Sequence, residues 1–394
     1  FAQCKVSLDT EDFNIELKDH EIQSTEVAEP DYILQFRRPA LFTPTTLENM
    51  LKTAVNTPGA VILSNSYDRF SPIIEGTANG SVEPWVAFNA PVLVFPIKTV
   101  RHGYKNYRVR GDAMTFTTTP SQGKHKDLPE ITTIVRFHRK GDLNRLSNAL
   151  YCLAAMENCI VSPLIAAQDL TSDQTNVVEK MIDNLPLASG GIAKIVSYSS
   201  TKEHPDLRAR MLTKSLQQVR TRYAAFLDYD DLIMSHAYCW MIERMQKTSK
   251  AVAFGRVFST TFDSQTGLFK DRRCEFTYGQ SYQDFLRVNH APLHSFMLDL
   301  SKVETRNLVF NDDQKFLEDY FLTLQLFTED NADWDSLAKN TYIGDYLHST
   351  DHVNTLALLD KTSRKDVFKK PDYHTCENRI RTLKESLLQI DCKH

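Results

Sequence analysis

The chain has 394 residues, 42% hydrophobic and 24% charged, a composition typical of a folded globular protein and unlike that of a disordered or membrane-embedded chain. Its formal net charge is −4, so the chain has no excess of basic residues to neutralise phosphates. We therefore expect no nucleic-acid partner. Glu157 and Asn158 interrupt the longest apolar stretch, 151–167. No transmembrane segment is therefore predicted, since a membrane helix needs roughly 20 apolar residues.

The seven cysteines are odd in number and never spaced as Cys-x-x-Cys. This pattern predicts reduced thiols and disfavours a disulfide framework or a zinc ribbon. Residues 1–4 show neither the basic nor the apolar part of a signal peptide. We expect a cytoplasmic protein, with peripheral attachment at the inner face of a membrane as the alternative. Because the chain begins at Phe1, we also expect a piece of a longer polypeptide.

In the first 118 residues, one helical pattern at 46–54 is accompanied by two strand-like runs, 59–63 and 91–95. The polar stretch 120–127 has linker chemistry. These features predict three parts: a smaller α/β module over 1–125, a larger α/β domain over 126–360 and a helical tail over 361–394.

Beyond the linker, strands and helices alternate. The predicted strands are 131–137, 161–166, 192–198 and 223–227, and the predicted helices are 142–156, 177–185 and 207–219. Such alternation favours βαβ units and a mainly parallel sheet with helices on both faces. In open sheets of this kind, ligands bind at the carboxyl ends of the strands.

The fourth strand delivers three carboxylates, Asp228, Asp230 and Asp231, into one loop. Their mutual repulsion would be relieved by a hard divalent cation such as Mg²⁺ or Mn²⁺, which typically bridges carboxylates to a diphosphate. A solvated acidic turn or a helix cap is the alternative for an Asp-x-Asp-Asp string taken alone.

In its context, this string resembles the Asp-x-Asp motif of GT-A glycosyltransferases, in particular family 2. The resemblance covers roughly residues 129–355 and rests on five motifs in order. His138 ends a strand where the family places an aromatic that stacks on the nucleotide base, and Gln168-Asp169 stands where the family has paired acids. Gln168 for the first acid and Arg136 for the usual proline are departures from the family pattern.

Further along the chain, Glu318-Asp319-Tyr320 matches the Glu-Asp-Tyr of the family. Tyr346-Leu347-His348 resembles its Tyr-x-x-His but is one residue shorter. A surface carboxylate at a helix start is the alternative for Asp319. A structural histidine is the alternative for His348.

The resemblance implies a GT-A fold, Rossmann-like and mainly parallel, and a glycosyltransferase of the hexosyltransferase type. The reaction would be inverting transfer of a sugar from a nucleotide-diphosphate donor, a UDP-sugar first, to an acceptor hydroxyl. Asp230 and His348 would bind Mn²⁺ or Mg²⁺, and Asp319, oriented by Glu318, would be the base. The donor would contact these residues: Arg136, His138, Gln168, Asp169, Asp228 and Asp231.

The implied acceptor is a glycan, lipid-linked or protein molecule in surface polysaccharide or glycoconjugate synthesis, and a homo-oligomer is compatible with the sequence. The runner-up function is a non-catalytic protein of the same fold that binds a nucleotide sugar or glycan or scaffolds a partner. A nucleotidyltransferase is a third alternative, disfavoured because no Gly-rich phosphate loop follows the first strand. For residues 289–294, which contain His290 and His294, packing or acceptor binding is preferred to a metal pair because Pro292 interrupts the segment.

A shift of 191 residues aligns the stretch from Tyr32 with the stretch from Tyr223 without a gap. This internal repeat predicts that the first module copies the second half of the larger domain. Arg37 and Pro39 then stand in place of Asp228 and Asp230, so the copy would be degenerate and unable to hold the metal. A basic strip over 101–110 is interpreted as a solvated face, with an anionic acceptor or the partner domain as the alternative.

The tail carries an apolar stripe at helical spacing, Ile380, Leu383, Leu387 and Ile390. We expect this stripe to pack on the core. A dimer seam is the alternative.

Overall fold

The structure, a computed structural model, describes residues 32–36, 40–56, 61–67, 92–96, 107–117, 128–262, 269–276, 279–309, 311–349 and 369–391. The chain divides into two compact units. The first is Phe1–Thr119 with Thr261–Asp271, and the second is Pro120–Thr260 with Arg272–His394. The assignment of residues 261–271 to the first unit has no counterpart in the sequence prediction, which gave each domain one uninterrupted segment.

The first unit contains a five-stranded sheet and one helix within its described residues. The strands are β1 (Tyr32–Phe36), β2 (Ala40–Phe42), β3 (Val61–Tyr67), β4 (Val92–Pro96) and β5 (Tyr107–Thr117), and the helix is α1 (Pro44–Asn56). The strand order is β1-β4-β3-β5-β2. Met50 and Ala54 of α1 are fully buried, as is Ile62 of β3. The helix therefore packs with an apolar face toward the core of this unit.

The second unit alternates strands and helices through its first half. These elements are β6 (Glu130–His138), α2 (Leu143–Ala154), β7 (Ile160–Gln168), α3 (Ser172–Asp183), β8 (Lys194–Tyr198), α4 (Arg208–Gln218) and β9 (Tyr223–Asp228).

The second half of this unit is more irregular. Its elements are β10 (Leu232–Ile233), α5 (Ala237–Thr248), β11 (Val252–Phe254), β12 (Arg256–Phe262), β13 (Phe269–Arg273), α6 (Tyr282–Arg287), β14 (Phe296–Asp299), α7 (Glu318–Leu326), β15 (Ala332–Asp333), α8 (Asp335–Ala338), β16 (Tyr342–Ser349) and α9 (Pro371–Asp391).

The main sheet has the strand order β15-β11-β14-β9-β6-β7-β8. Strands β8, β7, β6 and β9 are mutually parallel, and β14 is antiparallel to both of its neighbours. A smaller sheet has the order β10-β16-β12-β13, in which residues 261–262 of β12 and 269–271 of β13 belong to the first unit. The predicted α/β class, a mainly parallel mixed sheet flanked by helices as the GT-A resemblance implies, is confirmed.

Alternate residues of the central strands pack on opposite faces of the main sheet, as strand geometry requires. Ile134 of β6 and Phe226 of β9 belong to a core cluster with Met211 of α4 and Leu322 of α7. The preceding residue of β6, Thr133, faces the other way, with its hydroxyl 2.8 Å from the phenol oxygen of Tyr238 in α5. Both faces of the sheet are therefore covered by helices.

One helix starts earlier than its apolar pattern predicted. The periodicity predicted a helix from residue 177, but α3 begins at Ser172. The reason is a capping box, in which the Thr171 hydroxyl accepts from Gln174 N–H while the Gln174 side chain accepts from Thr171 N–H. These bonds satisfy exposed backbone donors without any apolar residue, so hydrophobic periodicity cannot detect them.

The two units share a strand topology. In the first unit the order is β1-β4-β3-β5-β2, and in the second the corresponding order is β9-β14-β11 followed by β12-β16-β10. Strands β11 and β12 are separated only by Gly255 and together correspond to β3. The matching pairs have the same sense: β1/β4 and β9/β14 are antiparallel, and so are β2/β5 and β10/β16. This topology agrees with the predicted internal repeat. Arg37, Pro39 and residues 101–106 of the basic strip lie outside the described residues.

The tail forms helix α9, with Ile380 buried in the core cluster and Leu383 and Leu387 packed against it. The side chain of Ile390 lies outside the described residues. Across the described ranges, no helix combines the length and the apolar character that crossing a membrane would demand.

Candidate functional site

The parallel register of the main sheet brings the strand-end residues together. Arg136 of β6 is paired with Asp228 of β9, and His138 of β6 is paired with Gln168 of β7. The predicted strand-end residues therefore meet at one edge of the sheet. They border an open pocket of about 440 Å³, lined by Arg136, Phe137, His138, Gln168, Arg208, Met211, Asp228, Tyr229 and Asp230.

Arg136 holds Asp228 in a two-point ion pair. Its Nε lies 2.6 Å from one carboxylate oxygen of Asp228 and its Nη2 lies 2.6 Å from the other. Burial alone would raise the pKa of Asp228, but the charge and hydrogen bonds of Arg136 outweigh it and lower the pKa below its ordinary value. Both oxygens of Asp228, predicted to contact the donor, are thus already neutralised by a fixed guanidinium.

Glu318, at the start of α7, lies next to this pair. Its Oε1 accepts from Arg136 Nη1 at 2.9 Å and lies 3.3 Å from Arg208 Nη1. Arg208 is also bonded to Asp206, with Nη2 to Oδ2 at 2.7 Å. The network joins β6, β9, α4 and α7. The sequence analysis did not identify Arg208 as a site residue. The available signal was an arginine in the first turn of a helix that was predicted from its apolar residues alone.

Asp231 is buried, and both of its carboxylate oxygens contact other parts of the fold. Its Oδ1 accepts from Leu347 N–H at 2.8 Å, and its Oδ2 lies 3.3 Å from Nδ1 of the buried His294. These contacts tie the acidic loop to β16 and to the turn before β14. They also place the buried imidazole of His294 against a carboxylate within the fold.

Asp230 differs from its two neighbours. Burial first, and then the charges of Asp231 and Asp228, raise its pKa well above the ordinary value. In the described part of the chain, no basic side chain forms an ion pair with it. A carboxylate in this position gains most from a positive charge brought by a ligand.

The predicted metal site fits only in part. In the ranges that the structure describes, no group of three or more His, Cys, Asp or Glu side chains could hold a metal ion. His348, predicted as a ligand, has its Nε2 2.8 Å from the hydroxyl of Ser259. Asp230 can contribute one carboxylate. That suits Mg²⁺ or Mn²⁺ bound mainly through phosphate oxygens and water, and it does not suit a site built wholly from protein ligands.

Asp319 is held by two hydrogen bonds at the N-terminus of α7. Its Oδ1 accepts from Tyr320 N–H at 2.8 Å and its Oδ2 accepts from Asn289 Nδ2 at 3.2 Å. Burial and then the charge of Glu318 raise the pKa of Asp319 to about 6. Glu318 therefore acts on Asp319 by charge repulsion, whereas Asn289 and a backbone N–H orient it.

His138 and Tyr229 form the aromatic wall of the pocket, with ring centroids 5.4 Å apart at 85°. Burial and then the charge of Arg208 lower the pKa of His138 to about 4. Its Nδ1 accepts from Lys140 N–H at 3.2 Å. The imidazole is therefore neutral at pH 7 and presents a flat surface suited to stacking on a base.

Gln168 lines the pocket on the β7 side, and Asp169 follows it in the chain. The Gln168 amide donates to Asp169 at 3.0 Å and to Pro205 O at 2.8 Å, and its oxygen accepts from Leu207 N–H at 3.2 Å. Asp169 accepts from Ser200 N–H at 2.8 Å. Burial opposes ionisation of Asp169, but these hydrogen bonds lower its pKa. The bonding groups of Gln168 are engaged within the protein, so its contact with a base stays a prediction.

No protein-family model matches the chain, and no curated protein matches it in sequence. Among solved structures, S. aureus TarS 1-349 in complex with UDP-GlcNAc is 11% identical with a TM-score of 0.44, over 64% of this chain and 66% of that chain. S. aureus TarS is 12% identical with a TM-score of 0.41, over 61% of this chain and 45% of that chain.

The match to a further structure of S. aureus TarS 1-349 covers 55% of this chain and 60% of that chain, at 12% identity and a TM-score of 0.38. The chain thus spans less than two thirds of the length of these structures. At this identity and these TM-scores, the similarity assigns neither a family nor an activity to it. The proposed function depends on the geometry of its own site.

Proposed function

We propose that this chain is a glycosyltransferase that transfers a sugar from a nucleoside diphosphate donor, with UDP-sugars as the first candidates, to an acceptor hydroxyl with inversion. The supporting observation is the convergence of four carboxyl groups, Asp228, Asp230, Asp231 and Asp319, around Tyr346. Burial first, and then the charges of these four groups, raise the pKa of the Tyr346 phenol above its ordinary value. Asp230, suited to a cation, and Asp319, suited to a proton, therefore both act on the same phenol.

Asp319 is the proposed proton acceptor. With a pKa of about 6, Asp319 is largely ionised at pH 7, and its pKa is close enough to that pH for it to accept a proton efficiently. The acceptor oxygen bonds to the anomeric carbon of the sugar while its proton passes to Asp319. The bond from that carbon to the phosphate oxygen breaks, and its electron pair leaves with the nucleoside diphosphate. Attack from the face opposite the leaving group inverts the configuration.

Asp230 is the residue that would hold a divalent cation beside the diphosphate. Such an ion, when bound, supplies positive charge against the charge that develops on the leaving group. Arg136 and Arg208 cannot replace it fully, because their charges are already balanced against Asp228, Glu318 and Asp206.

The alternative is a non-catalytic protein that binds a nucleotide sugar or a glycan. One observation favours it: Arg136 takes both oxygens of Asp228, the first acid of the Asp-x-Asp string. The position of Asp319 favours the enzyme, since a binding protein has no need of a carboxylate with a pKa near neutrality in its site.

A panel of nucleotide sugars with Mn²⁺ separates the two functions. UDP-N-acetylglucosamine, UDP-glucose and UDP-galactose are tested for thermal stabilisation and for release of UDP into solution. We expect one donor both to stabilise the protein and to be hydrolysed slowly, since water can replace the acceptor. Stabilisation without release of UDP would favour the binding protein, and neither effect with any nucleotide sugar would overturn the proposal.

Asp319→Asn gives the matched test of mechanism. It preserves size and removes the charge, so donor binding should persist while UDP release falls by roughly 100-fold or more. Asp183→Asn, an exposed residue of α3, is the control and should leave both unchanged. Equal UDP release from Asp319→Asn and the unmodified protein would remove Asp319 from the role of base.

A further inference from the structure

The residue before Glu318 has an unusual backbone. Leu317 has φ 55° and ψ 29°, in the left-handed region, and serves as the N-cap of α7 without a side-chain capping bond. A residue with a branched side chain rarely adopts this conformation, and it persists only where the surrounding structure holds it. Because Glu318 and Asp319 follow directly, the turn at Leu317 sets the direction of both carboxyl groups.

The C-terminal helix α9 packs on this turn. Cys376 is fully buried against Phe316, and the ring of Tyr373 lies 5.6 Å from that of Phe316 at 59°. Leu317 itself packs against both the Phe316–Cys376 cluster and the main core. Phe316 and the strained residue Leu317 are thus held partly by α9.

Polar contacts fix the segment 312–315 from two sides. On the α9 side, Cys376 Sγ lies 3.5 Å from Asp313 O, and Lys315 Nζ lies 2.9 Å from Asp372. On the α4 side, Arg208 donates to Lys315 O and Arg210 pairs with Asp312. The segment is therefore clamped between α4 and α9 immediately before the left-handed turn.

Without α9, only the α4 contacts would hold this segment, and Phe316 would lose the packing of Tyr373 and Cys376. Leu317 could then relax to a favoured backbone conformation, because fewer packing contacts would balance the steric cost of φ 55°. A change of φ at Leu317 would rotate Glu318 away from Arg136 and Asp319 away from Asn289, whose bonds of 2.9 Å and 3.2 Å define the site.

We propose that α9 is a positioning element of the active site, in which Tyr373 and Cys376 hold the left-handed turn at Leu317 that orients Glu318 and Asp319. The effect of this clamp on catalysis rests on the proposed role of Asp319 as proton acceptor. Its structural effect, the order of residues 314–320, does not depend on that role.

The first measurement is amide hydrogen exchange on the full chain. Tyr373→Ala should raise exchange across residues 314–320 by roughly tenfold, while the amides of β6 and β7 keep their protection as an internal check of folding. Leu388→Ala truncates a side chain of the same helix that is 43% exposed, and it should leave residues 314–320 unchanged. Unchanged exchange at residues 314–320 in Tyr373→Ala would contradict the proposal that α9 holds the turn at Leu317.

The second measurement is UDP release from the donor that the unmodified protein hydrolyses. Tyr373→Ala should lower kcat by roughly tenfold with KM for the donor within about twofold, because the donor pocket at β6 and β7 is intact. Leu317→Gly added to Tyr373→Ala should recover most of the loss, because glycine adopts φ 55° without steric cost. Failure of this double variant to exceed Tyr373→Ala would contradict the positioning role.

The two proposals fail separately. If the unmodified protein binds and hydrolyses no nucleotide sugar, the proposed function is wrong, and the exchange experiment still decides whether α9 holds the turn. If transfer or hydrolysis is present but Tyr373→Ala matches the unmodified protein in both kcat and exchange, only the clamp is wrong.

Discussion

Arg136 holds both carboxylate oxygens of Asp228 at 2.6 Å and reaches Glu318 with its remaining nitrogen at 2.9 Å. One guanidinium therefore links the end of β9 to the start of α7. The two carboxyl groups are 90 residues apart in the sequence, and the pairing aligns the acidic loop with the helix that carries Asp319.

Replacement of Arg136 by Met should destabilise the fold. The side chains of Arg136, Asp228 and Glu318 are 11%, 22% and 7% exposed, so the substitution leaves the poorly solvated carboxylate of Asp228 without its ion-pair partner and that of Glu318 with Arg208 alone. We expect the free energy of unfolding to fall by about 3 kcal/mol. Denaturant unfolding measures this, with Arg220→Met on the surface as the control. Adding Asp228→Asn should restore part of the loss, and a double variant as unstable as the sum of the two single changes would contradict the pairing.

Activity should fall on the acid side with an apparent pKa near 6. Burial and the charge of Glu318 raise the pKa of Asp319 to about 6, so the base is protonated below that value. The pH profile of UDP release from pH 5 to 8 measures this limb. A profile flat down to pH 5 would contradict the assignment.

The same shift has a consequence for stability. A carboxyl group whose pKa is raised in the folded state destabilises the fold when ionised, a penalty fully present above pH 6 and absent below its unfolded pKa of about 3.9. Asp319→Asn should therefore raise Tm at pH 7.5 and give a smaller gain at pH 4.5. Tm is measured by thermal unfolding, and an equal gain at both pH values would show that charge is not the cause.

Asn289 should tune this base. Asn289→Asp removes the donor to Asp319 and adds a negative charge, while an oxygen remains to accept from Ala291 N–H as in the unmodified protein. Both changes disfavour the ionised form of Asp319, so the acid limb should move to higher pH by at least roughly one unit. Asn184→Asp, an exposed residue after α3, is the control. An unmoved limb would assign Asn289 to loop structure alone.

Asp230→Ala should abolish the response to divalent cations. Among the described residues Asp230 is the carboxylate of the acidic loop that forms no ion pair, and the charge of Arg145 offsets its burial and acidic neighbours only in part, so Asp230 is the proposed contact to the metal. UDP release from the donor is measured with a Mn²⁺ titration and with EDTA. We expect Asp230→Ala to be at least roughly 100-fold slower and unresponsive to Mn²⁺. A variant still stimulated by Mn²⁺ would refute the assignment.

The sequence by itself determined the class of fold and where to look for chemistry. Residues 131–137 and 223–227 read as strands because apolar, β-branched and aromatic side chains mark a buried strand, and β6 and β9 extend these runs by one residue or two. Chain order alone then placed Asp228 and Asp230 after a parallel strand, at the edge where ligands bind. These inferences depend on local pattern, which the chain carries in every short window.

Only the tertiary structure decided which of these residues neutralise each other and which are left for a ligand. Arg136 read as a departure from a family pattern until the register of β6 against β9 paired it with Asp228. The contacts of Arg208 with Glu318 and of Asn289 with Asp319, and the docking of α9 on Leu317, likewise join residues far apart in the chain. Such pairings depend on how the helices pack over the sheet, and no local periodicity encodes them. The entropic cost of closing the loops between the partners is compensated only when the whole core forms.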